Sequence, residues 1–177
     1  LLDTDPARVI DGEEPFRQWM QDVQDRMIAE LGDTHFDIPE PVRRVEAMIA
    51  PPGGALAMYY TGPSEDFSRP GRTWYPTGGR DRFPLWAELS VAYHEGVPGH
   101  HLQIAITRHQ GDALTRYQRL LAGTSGYVEG WALYAERLMA ELGYLDNADH
   151  YLGYLSSQGL RAARVVVDIG LHLGLTI

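Results

Sequence analysis

The string His94-Glu95-Gly96-Val97-Pro98-Gly99-His100-His101 gathers three of the chain's seven histidines within eight residues. Two histidines four residues apart, with a glutamate directly after the first, form the zinc-hydrolase pattern HExxH: both imidazoles share a helical face and the glutamate activates bound water. Position 98 is proline, so the simple pattern fails and the next histidine lies six residues from the first. At about 100° per residue, positions 94 and 100 of a regular helix point about 120° apart, whereas 94 and 101 fall within about 20°. Pro98 forbids a regular helix, because it has no amide donor and its ring crowds the carbonyl of His94, while Gly99 admits unusual backbone angles. A bulge of two inserted residues would restore the HExxH face. His100 is therefore preferred as the partner of His94, with His101 as the alternative or as a neighbour in the site.

A catalytic zinc takes about three protein ligands and keeps a fourth position for water. The segment Gly126-Tyr127-Val128-Glu129-Gly130-Trp131-Ala132-Leu133-Tyr134-Ala135-Glu136 carries two carboxylates seven residues apart, on one face of a helix. Glu129 is assigned as third ligand, since an unpaired carboxylate among apolar neighbours is costly, and Glu136 as the group that orients a histidine. Arg161, Arg164, Asp168 and His172 follow at steps of three, four and four among apolar residues. Either they form a buried Arg–Asp pair, or Arg164 or His172 grips a substrate carboxylate or an oxyanion.

Around this centre the periodicity gives a mainly α chain with a small antiparallel β-sheet. Phe16, Trp19, Met20, Val23, Met27, Ile28 and Leu31 recur at helical steps, predicting a helix over 13–31. Short apolar runs at 45–50 and 55–60 flank Pro51-Pro52-Gly53-Gly54 and read as two strands joined by a turn, with a third around 72–75. From Pro84, placed in a first helical turn, the chain reads as helical to 175, with breaks at Pro98-Gly99, 123–126 and 143–147. No linker or repeat divides the 177 residues, so residues 1–177 form a single catalytic-domain fragment.

Composition narrows the chemistry. Fifteen Lys plus Arg against 24 Asp plus Glu leave a net charge of −9, and no basic block stands out, which argues against nucleic acid or an anionic membrane as partner. No apolar run approaches the roughly 18–20 residues of a membrane span. Cysteine is absent, so a metal must be held by His, Asp or Glu. The chain opens without an initiator Met and closes in an apolar helical pattern, which leads us to expect a piece of a longer protein. Compartment and oligomeric state are left open.

The strings His94 to Gln103, Glu129 to Glu136 and Arg164-Val165-Val166-Val167-Asp168-Ile169-Gly170-Leu171-His172, with Ser68-Arg69-Pro70-Gly71 and Tyr59-Tyr60 upstream, resemble the bacterial domain-of-unknown-function-885 family. That family is similar to mainly helical zinc peptidases of the thimet oligopeptidase, carboxypeptidase Taq and angiotensin-converting enzyme type. The resemblance implies a zincin-like site with Glu95 as general base and Glu129 as ligand, and a strand edge around 55–60 that pairs with an extended peptide.

The resulting expectation is a zinc-dependent peptidase of short peptides, with zinc on His94, His100 and Glu129. Glu95 takes the water proton, and Tyr127, Tyr134 or His172 stabilises the oxyanion. Two rivals stand beside it. One is a non-catalytic metal-binding or structural module; the other is a zinc hydrolase of esters or other amides.

Overall fold

A computed structural model describes residues 1–175. The elements run β1 (Val9–Asp11), α1 (Glu13–Leu31), β2 (Val45–Ile49), β3 (Tyr59–Thr61), β4 (Gly71–Tyr75), β5 (Arg82–Pro84), α2 (Glu88–Glu95), α3 (His100–His109), α4 (Arg116–Leu120), α5 (Ser125–Glu141) and α6 (Ala148–Leu173). The fold is mainly helical, with one antiparallel and one mixed sheet.

The α1 helix occupies the predicted span. Glu13 and Glu14 sit in its first turn, where acidic groups favour the helix dipole. Its apolar stripe buries Phe16, Met20, Val23, Met27, Ile28 and Leu31. Phe16 stacks on Phe83 of β5 at 4.2 Å between ring centroids and meets Tyr75 of β4 edge-on. That contact ties the helix to both sheets.

The strand pairing differs from the expected hairpin. The three-stranded sheet has the order β2-β4-β3, with β2 parallel and β3 antiparallel to β4. The Pro51-Pro52-Gly53-Gly54 segment does turn the chain, yet β4 is inserted between the strands that flank it. The outer edge of β2 is occupied by α1: Gln21 accepts from the Ala47 amide at 2.8 Å and donates to the Val45 carbonyl at 3.0 Å. The β3 strand has no partner strand beyond it among the described residues. The second sheet, β1 against β5, was not anticipated, and it places Pro84 at the end of a strand rather than in the first turn of a helix.

Two close approaches fix the helical layer. A side chain at Gly153 would collide with the Trp86 carbonyl, so α6 rests backbone to backbone on the segment leading into α2. Beyond that point α6 projects Leu160, Val165, Val166, Ile169 and Leu171 to solvent. Tyr151, Leu152 and Leu155 in its first half are exposed as well, so the helix buries little apolar surface along its length. Leu173 ends the helix, with Gly174 in the left-handed region as its cap.

Candidate metal centre

The histidine string is not one helix with a bulge. The α2 helix stops at Glu95, the Gly96 amide bonds back to Ala92, and α3 starts at His100. Gly99 is obligatory at the break, since a Cβ there would overlap the carbonyls of Tyr93 and His94. From α5, the Trp131 indole donates to the Pro98 carbonyl at 2.8 Å and braces the turn. Restarting the helix cancels the angular misfit of a six-residue spacing: the His94 and His100 rings lie edge to face with centroids 4.7 Å apart.

The two acids of α5 lie on opposite nitrogens of one imidazole. Glu136, fully buried, receives the His94 Nδ1 hydrogen at 2.7 Å, and Glu129 lies 3.3 Å from Nε2. Because Glu136 holds the proton on Nδ1, the lone pair on Nε2 faces the cleft. Glu136 also accepts from Ser90 at 2.6 Å and from Arg161 at 3.0 Å, with a second Arg161 contact at 2.8 Å. Burial alone would raise the Glu136 carboxyl, but its bonds to His94, Arg161 and Ser90 prevail and hold it below the ordinary glutamate value. For His94, burial acts to lower the imidazole, and Glu136 and Glu95 outweigh it to raise it.

His94, His100 and Glu129 each offer a donor atom within 4.8 Å of the others. Glu129 bridges the two imidazoles, with one carboxylate oxygen 3.3 Å from His94 Nε2 and the other 3.5 Å from His100 Nε2. Glu129 is 57% exposed in its side chain, so it faces the open cleft rather than apolar neighbours, contrary to expectation. Glu95 lies beside this trio. Burial pushes its carboxyl up to about 7, and one buried carboxylate oxygen has no hydrogen-bond partner. Burial likewise pulls the His100 imidazole down to about 4, and its Nδ1 is buried without a partner. Two facing imidazoles, a carboxylate between them and unpaired polar atoms behind form a donor set that fits a divalent cation.

His101 turns the other way. It is fully buried, with Nε2 at 2.7 Å from the Val42 carbonyl and Nδ1 at 2.9 Å from the Tyr60 hydroxyl. A carbonyl only accepts, so Nε2 carries the hydrogen and Nδ1 receives one from Tyr60. Both nitrogens are consumed by the scaffold, and His101 is not a neighbour in the site.

Residues from the α6 stripe separate. Asp168 and His172 are exposed on the outer helix, where His172 Nδ1 bonds to the Asp168 backbone carbonyl at 2.8 Å, so Asp168 is in no buried pair with an arginine and His172 is not brought to the cluster. Arg164 is exposed but lines the cleft, and Tyr134 is half-exposed beside Trp131 without lining it. Arg161 is the stripe residue that reaches the centre. Its spacing put it on the stripe, but nothing in the sequence paired it with Glu136. Ser90 and Trp131 carried no comparable signal.

The whole chain, residues 1–177, matches a family described as bacterial protein of unknown function, DUF885. The chain belongs to the DUF885 family. Among solved structures, it is similar to "the putative lipoprotein from Colwellia psychrerythraea", with 32% identity and a TM-score of 0.80. The alignment covers 96% of this chain and 30% of that one, so this DUF885 segment spans under a third of that relative's length. A search of curated proteins finds no match.

In this DUF885 segment the cluster opens into a cleft of about 570 Å³, walled by Met58, Tyr59 and Tyr60 on one side and Arg161 and Arg164 on the other. The open strand edge of β3 therefore borders the candidate centre. No described helix is long and apolar enough to cross a membrane.

Proposed function

We propose that the chain carries the catalytic centre of a zinc-dependent peptidase acting on short peptides. The observation that carries this reading is the placement of a buried, unpartnered Glu95 carboxylate beside the converging donors of His94, His100 and Glu129, in a cleft bordered by an open strand edge. His94, His100 and Glu129 would hold the ion. When bound, zinc supplies Lewis acidity that polarises a carbonyl and acidifies water.

The chain's own residues account for the rest. Glu136 keeps the His94 proton on Nδ1, and Arg161 keeps Glu136 ionised, so the donor lone pair stays aimed at the cleft. Glu95 accepts a proton from the attacking water and returns it to the leaving amine. The β3 edge offers backbone groups to an extended substrate, while its partner edge on β2 is closed by Gln21. Arg161 and Arg164, rather than Tyr127, Tyr134 or His172, stand where negative charge on the substrate can be met.

The test is Glu95→Gln in the full-length protein. Zinc content, measured by elemental analysis after metal-replete purification, should stay unchanged while hydrolysis of short peptides is lost. Retained hydrolysis would remove Glu95 as the base. Zinc retention without peptide or ester hydrolysis in the wild type would instead favour a structural metal site.

A further inference from the structure

A recess of about 300 Å³ opens off the cleft and shares Tyr60, Ile104 and Val128 with it. Its walls carry hydrogen-bonding groups with nothing to bond. Gln103 is only 8% exposed, yet neither atom of its amide has a partner. The Nε atoms of Arg108 and Arg119 are buried and unpartnered as well. Unpaired buried donors are expensive, and a native site keeps them when a ligand completes them.

The charges around the recess do not cancel. Arg69 is spent on backbone, donating to the Gly62 and Pro70 carbonyls at 2.7 and 3.0 Å. Glu65 is the acid paired with this group, and it is held chiefly by Arg116 at 2.8 Å; Arg119 reaches it at 4.0 Å. Arg108 has no carboxylate partner among the described residues. Its guanidinium lies flat on Gly62, where an added Cβ would come within 2.7 Å of Cζ and 2.9 Å of both terminal nitrogens. The glycine thus leaves room for a planar fork to lie along the recess wall. In a chain of net charge −9, this is a local excess of positive charge with buried amide donors beside it.

We infer that this recess receives the free carboxylate at the end of a peptide substrate, so that the enzyme selects short peptides ending in an unblocked carboxyl group. This inference rests on the peptidase reading of the adjoining cleft. A guanidinium fork matches a carboxylate in plane and spacing, and a neutral amide at the same point leaves the arginines uncompensated. Gln103 supplies a further donor at a position too buried for bulk water.

The full-length, zinc-loaded protein is given one N-acetylated tripeptide as the free acid and as its C-terminal amide. The free acid is expected to be preferred by at least about tenfold in kcat/KM, mainly through KM, as a charge-assisted bond implies. Arg108→Gln and Arg119→Gln should each erode that preference, chiefly by lowering kcat/KM for the free acid. Equal kcat/KM for acid and amide in the wild type overturns the inference and leaves the peptidase reading intact; that comparison needs no variant to fold. A preference that survives both substitutions also overturns it. If neither peptide is hydrolysed, the peptidase reading fails, and calorimetric titration of the same two peptides decides the recess separately. Tighter binding of the acid, lost in Arg108→Gln, upholds a carboxylate site, and equal binding refutes it. Inorganic phosphate included as a competitor distinguishes a general anion site, which would overturn the assignment to a peptide terminus if phosphate displaced the acid at equal concentration.

Discussion

His101 gives a quantitative test of the scaffold that is independent of metal. Its imidazole is fully buried, donates to Val42 and accepts from Tyr60, and burial lowers it from 6.5 to about 4 despite the opposing bond to Val42. The neutral ring is the folded form. Between pH 6.5 and 4 the unfolded chain binds a proton that the folded chain does not, so stability rises with pH across that window. The contribution is fully present above the unfolded value and is lost as pH falls through the folded one. A depression of this size amounts to about 3 kcal/mol in the limit, and about 2 kcal/mol is lost on going from pH 7.5 to 5. The assay is urea unfolding of the intact protein and of His101→Gln at both pH values. Other titrating groups are common to both proteins, so the wild type should lose about 2 kcal/mol more than the variant over this interval. Equal losses, or a nuclear magnetic resonance titration showing His101 protonated above pH 6, would refute the argument.

Two further outcomes follow from the α5 helix. Glu136→Gln removes a fully buried charge opposite Arg161, which is 26% exposed, and should destabilise the fold by about 3 kcal/mol, the lower end for a broken buried pair. The same change should weaken zinc binding by about 10- to 100-fold in competition with a chelator, since the acceptor that orients His94 loses its charge. Trp131→Phe keeps the ring but deletes the 2.8 Å bond to the Pro98 carbonyl, costing about 1 kcal/mol in thermal or urea unfolding; unchanged stability would show that the bond does not brace the turn.

Local features of the fold were legible and non-local ones were not. The α1 helix could be read because its apolar spacing is complete within the segment. The strand at 45–49 showed as an apolar run, the run at 55–60 meets the strand at 59–61 only at its last two residues, and the strand at 71–75 overlaps the one expected around 72–75; nothing local reveals that the third lies between the first two. The β1 and β5 strands have three residues each, too few to display alternation. In the site, the same limit separates His100 from His101. Adjacent histidines look equivalent in a motif, but Val42 and Tyr60, distant in sequence, take both nitrogens of His101. The α6 stripe misled for the opposite reason. Its spacing was regular, but the helix is seated on the body only as far as about Arg161, so Arg161 reaches the centre and Asp168 and His172 do not.

The break between α2 and α3 explains why a spacing that fails on a continuous helix works here. In an HExxH helix the backbone of one turn holds both imidazoles, and the brace is intrinsic. Here the two rings sit on different helices, so their separation depends on a third element to fix the turn. The α5 helix does this with Trp131 at Pro98, while the same helix presents Glu129 to the cleft and Glu136 to the back of His94. At two and seven residues from Glu129, the brace and the orienting acid are locked to the third donor by one rigid helix. Any shift of α5 therefore moves all three together, so the geometry around His94 is governed by how α5 packs on α2 and not by the flexibility of the Pro98-Gly99 turn.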